Sequence, residues 1–332
     1  MIKTPYFCPA NRKDMRFIAV LFVTLCCCIG LVASPKEFYQ SDMQHLTQKD
    51  GLANNTLYSF HQDKNGFLWI GTDVGISRYD GVHFHNYELI DIEPQAIQRI
   101  CEMEQDHLLW LQLGRYNHIA CLDKTSGEYV ALTCDSSNVL QTVYDVCIAD
   151  SALYALTPKG IVRMDYQRNK HSIHITPELV VANRYQLTKL VGDDNFLYAL
   201  DKGNNLLVYN YRTGKQHVVR YSRFETSKSL NDIKAMNGCL WIISDWNGTY
   251  CYNAEQDELR ELDLSQGKDN EYLISHVAMK NDSTFFACTP NSILRIIFSG
   301  TDYIRDSIDV SSISFDQFKY ESFIKNRITD LY

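Results

Sequence analysis

Short apolar strands alternate with polar turns along most of the chain, and one aromatic position returns at a regular distance. The first copy is Leu68–Thr72, centred on Trp69. Successive aromatics lie 41 to 45 residues apart, and the later copies centre on Trp110, Tyr154, Tyr198, Trp241 and Phe286. A repeat of about 40–50 residues is typical of β-propellers. The pattern therefore predicts an all-β fold built from radially stacked blades.

Each repeat is predicted to hold four short antiparallel strands, A to D, separated by turn residues. In the first repeat these strands are 57–61, 67–72, 76–79 and 83–87, and Asn65-Gly66 is a strong hairpin signal. The chain shows six such repeats, a lone outer strand at 43–47 and the start of a seventh repeat at 328–332. We predict a β-propeller of four-stranded antiparallel blades, with six blades plus the start of a seventh, and we expect it to be incomplete at the C-terminus.

The N-terminus has the layout of an export signal. Residues 17–33 are apolar and uncharged, Arg12, Lys13 and Arg16 precede them, and the small residues Ala33 and Ser34 follow. This layout is typical of a secretory signal peptide. The alternative is an uncleaved membrane anchor, because 17 residues are at the low edge for a spanning helix. We expect 1–34 to be signal or anchor, 35–332 to be a sensor propeller, and the location to be periplasmic.

The composition and the motifs of the chain limit which kinds of partner and cofactor we expect. The net charge is −8 with no basic block, so a nucleic-acid partner is not expected, because such binding needs clustered Lys and Arg. Seven cysteines follow the leader, mostly inside apolar strands, and we expect them to behave as small buried hydrophobes, with at least one left unpaired. Neither a zinc-like Cys and His spacing nor a nucleotide loop is present in the sequence, and we expect no metal and no cofactor.

Strand A has a recurring frame of two apolar residues that enclose two polar ones, as in Ile97-Gln98-Arg99-Ile100. Strand A is the innermost strand of a propeller blade, so the enclosed residues should form a polar ring near the central channel. The ligand candidates from this ring are Arg99, Tyr144, Lys189, Asp232 and His276. The alternative is a solvated channel whose charges pair with one another.

Loops give a second set of candidates. The strand order brings the D–A and B–C connections to one face, which we call the D–A face. Its candidate ligand residues are Asn54, Asn55, Arg115, Tyr116 and Trp246. An exposed aromatic ring beside polar groups suits a sugar. The alternative for Trp246 is a loop aromatic that folds onto its own blade.

The stretch 45–87 resembles the two-component regulator propeller repeat. The matching residues are Asp50-Gly51-Leu52, Asn54-Asn55, Asp63, Asn65-Gly66, Trp69-Ile70-Gly71-Thr72, Gly75, Arg78-Tyr79-Asp80-Gly81 and Phe84. The resemblance implies the periplasmic sensor region of a hybrid two-component system of Gram-negative bacteria. In that family a β-sandwich, a membrane helix, a histidine kinase, a receiver and a DNA-binding domain follow the propellers, and many members respond to oligosaccharides.

The sequence therefore predicts a ligand-sensing propeller that recognises a carbohydrate and is not itself an enzyme, and we expect any homodimer to form through downstream domains. One alternative is a glycan hydrolase or lyase, because Asp63-x-x-Gly66-x-x-Trp69 resembles the Asp-box of sialidases with a shifted spacing. Such an enzyme would need converging arginines, for which Arg78, Arg99, Arg115 and Arg163 are the candidates. The other alternative is a protein-interaction scaffold.

Overall fold

The computed structural model describes residues 46–88, 95–114, 117–135, 140–169, 172–184, 186–220, 230–236, 238–244, 249–262, 276–281, 284–288, 292–299 and 302–309. The leader, most of the expected strand at 43–47 and the expected start of a seventh repeat lie outside these residues. Within the described part of the chain, no helix is both long and apolar enough to span a membrane.

Six sheets follow one another along the chain, as predicted. In each sheet four consecutive strands lie side by side in sequence order and antiparallel, so each sheet is one blade, and the third sheet has one further strand. The strands of blade one are β1 Leu57–Gln62, β2 Leu68–Thr72, β3 Gly75–Tyr79 and β4 Phe84–Glu88. Blade two has β5 Ile97–Met103, β6 Leu108–Leu113, β7 His118–Asp123 and β8 Glu128–Tyr129, followed by β9 Ala131–Cys134. Blade three has β10 Asp145–Ala149, β11 Ala152–Thr157, β12 Gly160–Arg168 and β13 Ser172–Ala182.

The last three blades have the same order. Blade four has β14 Leu187–Gly192, β15 Phe196–Asp201, β16 Leu206–Asn210 and β17 Lys215–Val219. Blade five has β18 Leu230–Met236, β19 Cys239–Ser244, β20 Thr249–Asn253 and β21 Glu258–Leu262. Blade six has β22 His276–Asn281, β23 Thr284–Cys288, β24 Ser292–Ser299 and β25 Asp302–Asp309. Two 3-10 turns, Gln48–Asp50 and Glu104–Asp106, are the described helical segments.

Blade three departs from the predicted four strands. After the very short β8, the chain leaves blade two and β9 pairs in parallel with the outer strand β13, so that sheet has five strands. Thr133 contributes to this junction, because its hydroxyl lies 3.1 Å from Nδ1 of His174. Sequence spacing alone would assign this segment to blade two, since a strand carries no local signal of which sheet edge it will join.

The apolar core is divided into five clusters, each of which joins two consecutive blades. The strand-B aromatics of blades one to five are buried and face the next blade. Blade six differs. Phe286 holds the predicted register position but is only half-buried, whereas Phe285 packs on Trp241 with ring centroids 4.7 Å apart. Because side chains alternate along a strand, Phe286 faces away from blade five.

A β-bulge explains the apolar-x-x-apolar frame of strand A. Strict alternation would place residues i and i+3 on opposite faces. The register between strands A and B shifts at the first enclosed residue in blades one, two, four and five, as between Ile97 and Arg99. The extra residue returns both frame residues to the core, where Ile97 is 0% and Ile100 is 7% exposed. The second enclosed residue is thereby directed toward the next blade.

Candidate functional site

The second enclosed residues of blades one to five form a chain of polar contacts along the inner strands, which we call the inner-strand belt. Its members are Ser59, Arg99, Asp145, Lys189 and Asp232. Each contact joins neighbouring blades, because the inner strands of consecutive blades touch one another. The described structure therefore brings three of the ring candidates, Arg99, Lys189 and Asp232, into one arrangement.

Asp145 is the most highly connected member of the belt. Arg99 donates to it with two parallel hydrogen bonds, Nε to Oδ1 and Nη2 to Oδ2, both 2.8 Å. The backbone N–H of Leu190 in blade four donates to Oδ2 at 2.8 Å. One carboxylate thus ties blades two, three and four together. A two-pronged Arg–carboxylate pair is among the stronger polar contacts in proteins.

The remaining belt contacts follow the same direction. The hydroxyl of Ser59 donates to the carbonyl oxygen of Ile97 at 2.8 Å, and Lys189 Nζ donates to Asp232 Oδ1 at 2.9 Å. Burial alone would raise the pKa of Asp232, but the charge and hydrogen bond of Lys189 bring that pKa below its ordinary value. The two cations and two anions of the belt are therefore paired with each other, which is the arrangement of the self-paired channel considered as the alternative.

A second polar cluster lies between blades one and two, and it was not predicted from the sequence. Lys124, from the turn after β7, is only 7% exposed and contacts Glu102 and Asp63, whose side chains are 3% and 2% exposed. His61 Nε2 lies 2.9 Å from Glu102 Oε2. We call these four residues the buried ion cluster. In the sequence, only the turn at Asp63 pointed to this cluster, because Glu102 and Lys124 belong to the second repeat, which matches the repeat pattern poorly.

Asp63 also shapes the repeat locally. Its Oδ1 accepts the backbone N–H groups of Asn65 and Phe67 at 2.9 and 3.1 Å, and its Oδ2 accepts the indole N–H of Trp69 at 3.0 Å. Asp193 in blade four does the same for its turn and for the hydroxyl of Tyr198, at 2.9 Å. The run that resembled an Asp-box is therefore a structural clamp between the A–B turn and the strand-B aromatic.

The D–A face carries two exposed tyrosines. Tyr58 and Tyr144, the first enclosed residues of blades one and three, are 40% and 39% exposed. Tyr58 donates a hydrogen bond to Asp73 Oδ1 at 3.3 Å, and Gln98 of the intervening blade is exposed. Because all inner strands run the same way, these side chains lie at the same end of the blades. Tyr144 was predicted as a candidate, and Tyr58 was passed over.

The other loop candidates are only partly described. Asn54 and Asn55 use their side-chain oxygens to accept backbone N–H groups, from Thr56 at 2.8 Å and from Gln48 at 2.9 Å. Both side chains therefore help to hold the conformation of the first loop. Arg115, Tyr116 and Trp246 lie outside the described residues, and of His276 only its place at the start of β22 is described.

The described arginines of the hydrolase alternative have separate environments. Arg78 stacks over the rings of Phe67 and Trp69, 4.7 and 5.8 Å from their centroids, while Arg99 is held by Asp145. Arg163 pairs with Asp165 at 2.9 Å on another blade. Among the described residues, no group of three His, Cys, Asp or Glu side chains could hold a metal ion.

A comparison with known protein families finds a match within the first repeat. Residues 51–74 fit the family described as two component regulator propeller. The chain carries a two component regulator propeller repeat. The matched segment contains Asp63, Trp69 and Gly71, which the structure places at the blade-one clamp and at the close contact between blades one and two. No curated protein matches the sequence.

Solved propellers share the fold. The extracellular domain of BT4673 from B. thetaiotaomicron, assigned as a one component system, is 17% identical with a TM-score of 0.62, and the match covers 79% of this chain and 38% of that one. The extracellular domain of BT3049 from the same organism, assigned as a hybrid two component system, is 16% identical with a TM-score of 0.58, over 80% and 37% of the chains.

PorZ, a surface component of the type-IX secretion system of Porphyromonas gingivalis, is 13% identical with a TM-score of 0.57, over 80% of this chain and 34% of PorZ. The chain thus spans little more than a third of the length of these relatives. At such identities the likeness describes the propeller fold.

Proposed function

We propose that this chain is the ligand-sensing propeller of a hybrid two-component system, that it acts in the periplasm, and that its ligand is a carbohydrate. The observation that carries the proposal is the two component regulator propeller match at 51–74. Support comes from the solved propellers, two of which are extracellular domains of proteins assigned to such systems. In this proposal the chain binds ligand, and any kinase step belongs to other parts of a longer protein.

The D–A face is the proposed binding surface. The tyrosines at 58 and 144 offer apolar rings with polar tips, and Asp73 and Gln98 offer hydrogen-bonding groups between them. An oligosaccharide needs both, because the faces of its rings are apolar and its edges carry hydroxyls. Arg115, Tyr116 and Trp246 belong to loops of the same face by strand order and would extend this surface.

Calorimetric titration with a panel of oligosaccharides tests the proposal. We expect Tyr58→Ala and Tyr144→Ala each to weaken binding of a responding sugar by about tenfold or more, in line with the loss of a stacking ring. Val82→Ala is the matched control, because Val82 is 72% exposed and lies in a C–D turn on the opposite face. Affinity unchanged in both tyrosine variants, and also in Trp246→Ala and Arg115→Ala, would contradict this surface. Cleavage of the glycan would instead favour the hydrolase alternative.

A further inference from the structure

Two cysteines of blade five face each other on one side of a single hairpin. Cys239 begins β19, and Cys251 lies in β20 directly opposite Trp241. Because side chains alternate along a strand, Cys239, Trp241 and Cys251 share one face, and the two cysteines are diagonal neighbours. Both are free and half-buried. From this juxtaposition we propose that Cys239 and Cys251 are a redox site that forms a reversible disulfide across the hairpin.

The surroundings distinguish the two thiols. The Cys251 thiol donates a hydrogen bond to the sulfur of Cys239, and this contact lowers the pKa of Cys239 to about 7 while it raises the pKa of Cys251. Arg260, directly opposite Cys251 in the register of β20 and β21, adds a positive charge that acts in the same direction on Cys239. A thiol with a pKa near neutrality carries much thiolate, which is the reactive form. Cys239 is therefore the attacking thiol and Cys251 the resolving thiol.

The reaction is an ordinary thiol–disulfide exchange with a small disulfide as the oxidant. The Cys239 thiolate attacks one sulfur of the oxidant, forms a mixed disulfide and releases one thiolate. Cys251 then loses its proton and attacks the Cys239 sulfur, which releases the second thiolate. The protein loses two electrons and the oxidant gains them, so that a dithiol and a disulfide become a disulfide and two thiols.

The geometry predicts that the bond is labile. Diagonal neighbours in a sheet have Cα atoms about 7–8 Å apart, which is longer than an unstrained disulfide prefers. Closing the bond therefore pulls β19 against β20, and strained disulfides are the easily reduced ones. Cys239 also packs on the apolar cluster that joins blades five and six. Oxidation would thus act directly on the contact between those two blades.

Two other cysteines supply an internal control. Cys101 of β5 packs on the cluster that joins blades two and three, and Cys147 of β10 belongs to the cluster that joins blades three and four. Burial raises the pKa of Cys101 to about 12 and also raises the pKa of Cys147. These thiols should remain protonated and reduced under conditions that oxidise the blade-five pair.

The test is oxidation of the folded chain with oxidised glutathione, followed by peptide mapping. Chymotrypsin can cut after Trp241, Trp246 and Tyr250, so an intact bond appears as two linked peptides. We expect the Cys239–Cys251 link in the native protein and in Cys101→Ser, and its loss in Cys239→Ser and Cys251→Ser. At neutral pH, iodoacetamide should modify Cys239 more than about tenfold faster than Cys101.

Three outcomes would overturn the proposal. The first is that both thiols stay free while a reference dithiol is fully oxidised. The second is that glutathione stays attached to Cys239 without resolution by Cys251. The third is that the link forms only after denaturation in urea. Mapping of the native chain needs no variant, so a variant that fails to fold does not prevent the decision.

Discussion

The contact between blades one and two and the contact between blades two and three are each centred on a buried tryptophan, but the two rings have different surroundings. Trp69 donates its indole N–H to Asp63 at 3.0 Å. Trp110 packs on Tyr166 with ring centroids 5.3 Å apart, and its indole N–H has no carboxylate partner among the described residues. The apolar repeat therefore determines the position of the tryptophan ring, whereas the polar groups around the ring differ from one contact to the next.

The charges at these two contacts come from one turn. Asp123 and Lys124 are adjacent, yet Lys124 joins the buried ion cluster toward blade one and Asp123 pairs with Arg168 of blade three. Lys124 is 7% exposed and Arg168 is 39% exposed. Exposed pairs add little to stability, and removing one partner of a buried group is costly. The first contact should therefore depend on its charges much more than the second.

The largest expected effect is from Lys124→Met. This change leaves Asp63 and Glu102 buried without their cation, which should lower the free energy of unfolding by about 3–5 kcal/mol. Arg168→Met is the matched variant at the other contact and should cost less, about 1–2 kcal/mol, because Asp123 still accepts the backbone N–H groups of Thr125 and Ser126. Urea unfolding followed by circular dichroism gives both values. Equal losses would mean that the two contacts do not differ in this way.

A smaller effect isolates the indole hydrogen bond. Trp69→Phe and Trp110→Phe remove the same volume from similar sites, but only the first leaves a buried carboxylate oxygen without its donor. We expect Trp69→Phe to cost about 1–3 kcal/mol more than Trp110→Phe. The measurement is the difference in urea midpoints at unchanged slope. A larger loss in Trp110→Phe would contradict this difference between the two tryptophans.

Local pattern was enough to predict the blades and the faces of their strands. The strands of blade one end within one residue of the predicted positions, since alternation and Asn65-Gly66 determine them locally. The strand-A frame was also visible, but its cause, a bulge at the first enclosed residue, emerged only from the pairing register. The polar residues of that frame were found because they recur at one position in every repeat.

The sequence did not predict the polar contacts between blades. The pairing of Arg99 with Asp145 joins residues 46 positions apart, and that of Lys124 with Asp63 joins residues 61 apart. Such distances are set by how the blades stack, and no local signal reports them. The same reason explains β9, which joins blade three although its sequence follows blade two. Tyr58 holds the same frame position as Tyr144, but no local feature of the sequence reported that its ring would stay exposed.

The smallest expected effect is on the pH dependence of stability. Burial by itself raises the pKa of Asp63, but the hydrogen bonds from Trp69 and Lys124 and the charge of Lys124 bring that pKa below its ordinary value. For Asp123, burial is likewise outweighed, by the backbone N–H of Thr125 and by Arg168. A carboxyl whose folded pKa is below its unfolded one stabilises the fold above the unfolded pKa, and this contribution is lost as pH falls through the folded pKa.

The free energy of unfolding should therefore decline from about pH 5 to about pH 3, the range in which unfolded Asp takes up protons. Asp63→Asn removes one titrating group while its amide oxygen can still accept from Trp69, so the decline should become shallower. Asp123→Asn tests the other contact in the same way. A decline unchanged in both variants would place the acid sensitivity elsewhere. If the decline becomes shallower only in Asp63→Asn, the acid sensitivity lies in the buried ion cluster, where the carboxylate of Asp63 is less exposed than that of Asp123.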